Sequence, residues 1–286
     1  MNAARTIASS TWEEASRSRS VIAVALLSLI VLALSAWTFS HLGGLTVRVG
    51  AFFGTDTKLV ASQLLILLMY LWSGMVAVAA AFFGAVAIAG EIASGEATFV
   101  MARPVRRAEL LLGRWLGIAV VIATFAVAVS SAQIFVAYVT SGFVPANAIG
   151  VVVIIVMQAL VILTVAVALA TRLSVAAAAV MTLLLFGLAW AGGVIGGIGA
   201  WTNGPALMQA SSFIKLLLPS DAVWRGALLM LERPGGVFSG ARSVTMAANP
   251  FFGADDAAPE LLLAYALLWI AVVLGASVLA FRSRDL

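Results

Sequence analysis

Cysteine is absent from this sequence and histidine occurs once, at His41. The first absence excludes a disulfide framework and any thiolate metal or redox site. The second leaves too little for a serine triad or a zinc centre, both of which need histidine beside acids. No catalytic residue and no metal ligand set is therefore expected, and His41 reads as a solvated loop residue. Charge is also scarce. Only 10% of residues are charged, against about 25% in a soluble domain. No G-x-x-x-x-G-K-[ST] loop occurs, so the chain cannot cradle a nucleotide phosphate by that route. If ATP drives this protein, another subunit must bind it. The sequence pI is about 10.1, but the basic residues are scattered beside apolar runs. They form no clustered basic face, which argues against nucleic acid as a partner.

What is abundant is apolar. Hydrophobic residues make up 63% of the chain, and mean hydropathy is +1.14. About 20 helical residues cross the hydrocarbon core of a bilayer. Apolar runs at about 21–40, 59–89, 116–140, 149–170, 175–198 and 261–281 predict six transmembrane helices in one all-α integral membrane domain covering residues 1–286. The second run, some 30 residues, reaches about 45 Å as a helix, so it should tilt or project beyond the core. Residues 1–20 place Ile7, Ala8, Trp12 and Ala15 at helical spacing among Arg5, Glu13, Glu14, Arg17 and Arg19. That pattern predicts an interfacial helix anchored by Trp12 on membrane lipid. Glu13 and Glu14 count against a signal peptide.

The connection 199–260 is too patterned for a plain linker. From Pro205 to Leu218, the residues Leu207, Met208, Phe213, Ile214, Leu216, Leu217 and Leu218 predict one short helix stopped by Pro219. Ser220-Asp221 resembles a cap with an acid in the first turn. Val223, Trp224, Leu228, Leu229 and Leu231 continue a second helix until Pro234. These short helices of the outer loop either rest on the membrane surface or fold between the spans. Before them, AGGVIGGIGA at 191–200 is glycine-dense. Gly192 and Gly196, and Gly193 and Gly197, have the small-xxx-small spacing of close helix approach; a loosened helix end is the other reading.

Six spans put both termini on one side. That side would hold Arg5, Arg17, Arg19, Arg103, Arg106, Arg107, Arg114, Arg172, Arg282 and Arg284. Among short loops, the far side keeps only Arg48 and Lys58. The positive-inside rule then makes both termini, residues 90–115 and Arg172 cytoplasmic, and 199–260 outward-facing, in a multi-pass inner (plasma) membrane protein. No ionisable side chain sits mid-span, which weakens an ion-coupled transporter reading. Gln63, Gln133 and Gln158 read as interhelical hydrogen-bonding residues, with a polar patch on a translocation path as the sharper alternative.

One polar stretch interrupts the first two thirds of the chain: GEIASGEATFVMARPVRRAELLLGRW at 90–115. Residues 91–103 fit a short amphipathic helix exposing Phe99, Val100 and Met101 near Glu91, Glu96 and Arg103. Pro104 ends it, and Glu109 opens the next helix. Such an element can sit in a groove of a soluble partner and pass on rigid-body movement. The plainer alternative is a loop whose arginines only set topology.

Glu91, Gly95, Arg103-Pro104, Arg107 and Leu111-Leu112-Gly113-Arg114 resemble the E-x-x-x-G … P-x-x-R … L-L-G-K pattern of ABC-2 type permeases, in span order and over nearly the whole chain. Glu96 stands where threonine is common, and Arg114 where lysine is. The resemblance implies a six-span permease subunit of an ATP-driven exporter, itself no enzyme, acting as a dimer with a second copy of itself. Residues 91–103 would be the coupling helix, docking one of two ABC ATPase copies through Glu91, Gly95, Glu96, Phe99, Val100, Met101, Arg103, Pro104 and Arg107. ATP and Mg would belong to that ATPase. Outside, Leu218-Pro219-Ser220-Asp221-Ala222-Val223-Trp224-Arg225 resembles the N-P-x-D-x-Y-R segment of the branch serving nitrous-oxide reductase maturation. That implies an outer-face motif of Pro219, Asp221, Trp224 and Arg225, a periplasmic accessory protein, and a role in maturing a periplasmic copper enzyme. A membrane scaffold or carrier working without an ATPase is the rival.

Overall fold

The computed structural model describes residues 19–42, 57–90, 93, 107–231 and 259–282. The expected interfacial helix at 1–20 lies, but for its last two residues, outside them. So do the coupling helix at 91–103, apart from Ala93, and residues 232–258 of the long connection. Among the described residues there is no strand. The elements are α1 (Arg19–Ser40), α2 (Thr57–Ala85), which continues into a π-helical turn (Val86–Gly90), α3 (Arg107–Ser141), α4 (Ala148–Ala170), α5 (Val175–Thr202), α6 (Pro205–Leu217), α7 (Ser220–Leu231) and α8 (Pro259–Arg282). Six of them, α1 to α5 and α8, are long and apolar enough to cross a membrane. The protein is an all-helical integral membrane bundle.

Local chemistry sets several ends. α4 starts where the Asn147 side chain accepts a hydrogen bond from the Gly150 amide at 2.8 Å, satisfying one of the donors a helix start leaves orphaned. Ser174 caps α5 in the same way. α5 ends at Asn203, the one non-glycine residue with a left-handed backbone (φ 51°) among the described residues; asparagine tolerates that conformation best after glycine. Pro205 then opens α6, where its missing N–H costs nothing. α3 starts nine residues before the apolar run near Leu116, because Arg107 to Trp115 continue the helix with Glu109 in its first turn.

α4 is the centre. Its almost purely apolar sequence packs against α2, α3, α5, α7 and α8, and 72% of its span is buried, against 17% for α1 and 22% for α8. Between apolar surfaces in lipid there is no hydrophobic drive, so close approach and polar bonds decide the packing. Close approach is visible at Gly84 of α2, where an added methyl would come within 2.8 Å of the Ala166 Cβ on α4. The polar bonds tie the same helices. Trp72 Nε1 of α2 donates to Gln133 Oε1 of α3 at 3.0 Å. Ser73 Oγ of α2 donates to Gln158 Oε1 of α4 at 2.9 Å. Trp115 Nε1 of α3 donates to Thr164 Oγ1 of α4 at 3.1 Å. Gln133 and Gln158 are thus interhelical bonding residues, and Gln63 is buried.

A double-mutant cycle on Ser73→Ala and Gln158→Leu should give a favourable coupling of about 0.5–1.5 kcal/mol, read from reversible unfolding in bicelles. A coupling of zero would mean that the bond does not hold α2 on α4.

Candidate functional site

The segment after α5 does not rest on a surface. α6 folds straight back along α5, and the glycines make that possible. A methyl at Gly192 would meet Ile214 Cγ2 at 2.5 Å; one at Gly196 would collide with Ser211; one at Gly199 would meet Leu207 Cβ at 2.9 Å. The glycine-dense stretch is therefore a helical groove that seats α6, and not a loosened helix end. Gly192 lies ten residues before the helix end at Thr202, so Ile214 sits about 15 Å down the bundle. That is about half the thickness of a hydrocarbon core.

The chain turns there. Leu218 is extended (φ −141°, ψ 99°), as a residue before proline prefers, and α7 begins at Ser220. It runs back toward the α4 start: Gly226 lies beside Leu262 and Ile154, and Met230 beside Gly150. α6 and α7 thus form a re-entrant hairpin whose tip, Leu218 to Asp221, is buried mid-bundle. Of the two readings of the short helices, folding between the spans is the one that α6 and α7 adopt.

A tip at this depth has polar groups to satisfy. The last carbonyls of α6 lack partners within the helix. The Leu218 amide donates to Ile214 O at 2.9 Å. The Tyr265 hydroxyl donates to Leu216 O, and Trp269 Nε1 donates to Leu217 O at 3.0 Å. Tyr265 and Trp269 are four residues apart on one face of α8. On the other side of the turn, Arg225 Nε donates to Asp221 Oδ2 at 2.6 Å, with both side chains only 4% exposed. Gly193 of α5 lies against this pair; a methyl there would collide with the carboxylate and come within 2.6 Å of the guanidinium Nε. Trp224 packs on Tyr70 of α2, ring centroids 5.5 Å apart and planes tilted by 54°.

All four residues of the expected outer-face motif are therefore buried, with Pro219, Asp221, Trp224 and Arg225 gathered at or just behind the tip. The sequence leaves charge out of the middle of the spans, but the hairpin carries the Asp221–Arg225 pair into the bundle. Sequence reading missed Tyr70, Tyr265 and Trp269, and it placed Gly193 only within a helix-approach spacing. The one available signal was Tyr265 and Trp269 themselves, two hydrogen-bond donors within an apolar run.

A second polar cluster lies at the opposite end of the bundle. Arg107 Nη1 donates to Phe281 O at 3.4 Å and Arg172 Nη2 to Ala280 O at 3.0 Å. The α3 start, the α4–α5 turn and the last turn of α8 thus meet at one end. Arg107 is the one described member of the expected docking set; Glu91, Gly95, Glu96, Phe99, Val100, Met101, Arg103 and Pro104 lie outside the described residues. Among the described residues no three His, Cys, Asp or Glu side chains come together as a metal site.

Against known protein families, the model of the ABC-2 family transporter proteins matches residues 5–286, which takes in all six spans and the hairpin between the last two. The chain belongs to the ABC-2 transporter family. No curated protein matches it. Membership makes the chain a multi-pass membrane permease subunit and implies an ABC ATPase as its partner. In this transporter the hairpin tip is where a buried ion pair enters the interior of the bundle.

Removing one member of a buried pair strands the other charge, so Asp221→Ala should cost about 3–5 kcal/mol, whereas Asp221→Leu with Arg225→Met should come back near the wild type. Gly193→Ala should resemble the single variant. Thermal unfolding of the purified transporter in detergent orders the three; equal losses in single and double variants would refute the pairing argument.

Proposed function

We propose that this chain is the membrane-spanning half of an ATP-driven exporter, worked by separate ATPase subunits that dock on residues 91–103. The observation that carries this reading is a conjunction: an ABC-2 family match over residues 5–286 on a chain with no nucleotide-binding loop of the G-x-x-x-x-G-K-[ST] kind. ATP and Mg then belong to the partner. Two permease copies with two ATPase copies is the arrangement proposed, in an inner (plasma) membrane. Both termini and 91–103 face the cytoplasm, supported by the arginines of 103–114, Arg172, Arg282 and Arg284 against Arg48 and Lys58. Docking uses Phe99, Val100 and Met101 as apolar anchors, and Glu91 and Glu96 toward basic groups.

ATP binding would draw the ATPases together and push on a segment placed between the π-helical foot of α2 and the arginine-tethered start of α3. π turns are frequent at functional sites, and this one ends at Gly90. For the cargo, the resemblance of 218–225 to the branch serving nitrous-oxide reductase maturation supports a precursor used on a periplasmic copper enzyme. Deleting the permease should then leave such an enzyme without its metal centre, and a fully loaded enzyme would remove this cargo from consideration.

Phe99→Asp should leave insertion and expression intact while reducing co-purification of the ATPase at least about tenfold, since truncating or charging a central apolar anchor costs about 2 kcal/mol or more. Wild-type recovery and stimulation of the ATPase by this variant would refute docking at 91–103. A transporter active with no ATPase at all would instead establish the carrier reading.

A further inference from the structure

α8 is one of the less buried spans, with 22% of its span buried. Yet hydrogen bonds are made to it or by it at two separate levels. At its last turn, the carbonyls of Ala280 and Phe281 accept from Arg172 and Arg107. Eleven residues earlier, about 16 Å along the helix, Trp269 donates to Leu217 O, and Tyr265 to Leu216 O one turn further on. Both sets involve carbonyls at a helix end, which have no partner within their own helix. In hydrocarbon or at its edge each would cost several kcal/mol if released. α8 also packs on α3, α4 and α7, and these bonds add fixed points at the arginine cluster at one end and at the hairpin tip in the middle. Arg107 directly follows the segment 91–106.

We infer that α8 is the rod that ties the docking end of the permease to its re-entrant hairpin, with Arg107 and Arg172 as positioning residues at one end and Tyr265 and Trp269 at the other. A displacement that starts in the docking segment moves Arg107, Arg107 moves the last turn of α8, and the Tyr265–Trp269 face carries the hairpin tip with it. The tip is packed against α5 at Gly193 and against α2 through Trp224 on Tyr70, so its movement changes how those spans pack. This deepens the ATPase-coupled reading and rests on it for the source of the push, but the link through α8 itself is a property of this chain alone.

The natural lack of cysteine provides the test. Ser220→Cys puts a reporter thiol at the buried tip, and Ser130→Cys in α3 puts a control thiol at another fully buried site. Labelling by a small methanethiosulfonate is followed in nanodiscs with the full chain. In the chain alone, Arg107→Gln, Arg172→Gln and the pair Tyr265→Phe with Trp269→Phe should each speed labelling of the tip thiol by about fivefold or more, the lower range of measured couplings between sites. The control thiol in α3 should stay protected throughout, which separates a loosened hairpin from a misfolded bundle. If labelling of the tip is unmoved by the arginine variants, whose side chains lie far from it, the α8 link is refuted. In the complex purified with its ATPase, ATP with vanadate should change labelling of the tip thiol in the parent. That change should vanish in Tyr265→Phe with Trp269→Phe while hydrolysis continues. A response that survives there, or is absent from the parent complex, also refutes the link. Failure of an ATPase to co-purify counts against docking at 91–103 only, and the chain-alone measurements then decide the α8 link by themselves.

Discussion

A backbone carbonyl left unpaired in hydrocarbon costs several kcal/mol, and much of this transporter is arranged around that constraint. A helix that stops mid-membrane exposes its last carbonyls. α6 stops there, at Leu217, because Pro219 cannot continue it. The carbonyls of Ile214, Leu216 and Leu217 accept from the Leu218 amide and from Tyr265 and Trp269 of another helix. That requirement binds α8 to the hairpin more specifically than its apolar contacts do. The same kind of orphan carbonyl at the end of α8 draws in Arg107 and Arg172. Helix ends, as well as helix faces, are where distant parts of this chain recognise one another.

The Asp221–Arg225 pair obeys the parallel rule for charge. Two ions removed from water lose hydration, and only tight geometry with further bonds offsets that loss. The i, i+4 placement on α7 supplies the geometry at 2.6 Å, and Gly193 allows α5 to close over it. The pair therefore adds little net stability but strongly disfavours any seat of the hairpin that would separate the two charges. With Trp224 packed on Tyr70, the tip has one well-defined position among α2, α4, α5 and α8.

For a transporter the consequence is mechanical. α4, almost wholly apolar and mostly buried, is the fixed post, tied to α2 and α3 by Gln158, Thr164 and the close approach at Gly84. α8 is less buried and is joined to the hairpin by single hydrogen bonds to the carbonyls of Leu216 and Leu217, whereas α7 is almost wholly buried. Parts with few apolar contacts open at lower free energy than the core. The contrast between a packed α4 and an α8 held partly through single hydrogen bonds follows from where the polar residues fall.

Composition and apolar run length alone determined the class: six spans of an all-helical membrane protein, because each run must satisfy its own backbone within the bilayer. Caps such as Asn147 and Ser174 and stops such as Pro219 act within a few residues, so they too are local properties of the chain. The glutamines were readable as interhelical bonds, because a buried amide has few other options. The glycine stretch was readable only as two alternatives, and the 199–260 connection likewise. What decided them was which helix lay opposite: Gly192, Gly196 and Gly199 against α6, Gly193 against the ion pair. Local sequence determines whether a segment is a helix and how apolar it is. It does not determine how deep the segment sits, because an amphipathic helix such as α6 or α7 suits a membrane surface as well as the inside of a bundle. Only the tertiary structure, by supplying Tyr265, Trp269 and Gly193 from other spans, could place Asp221 and Arg225 in the interior.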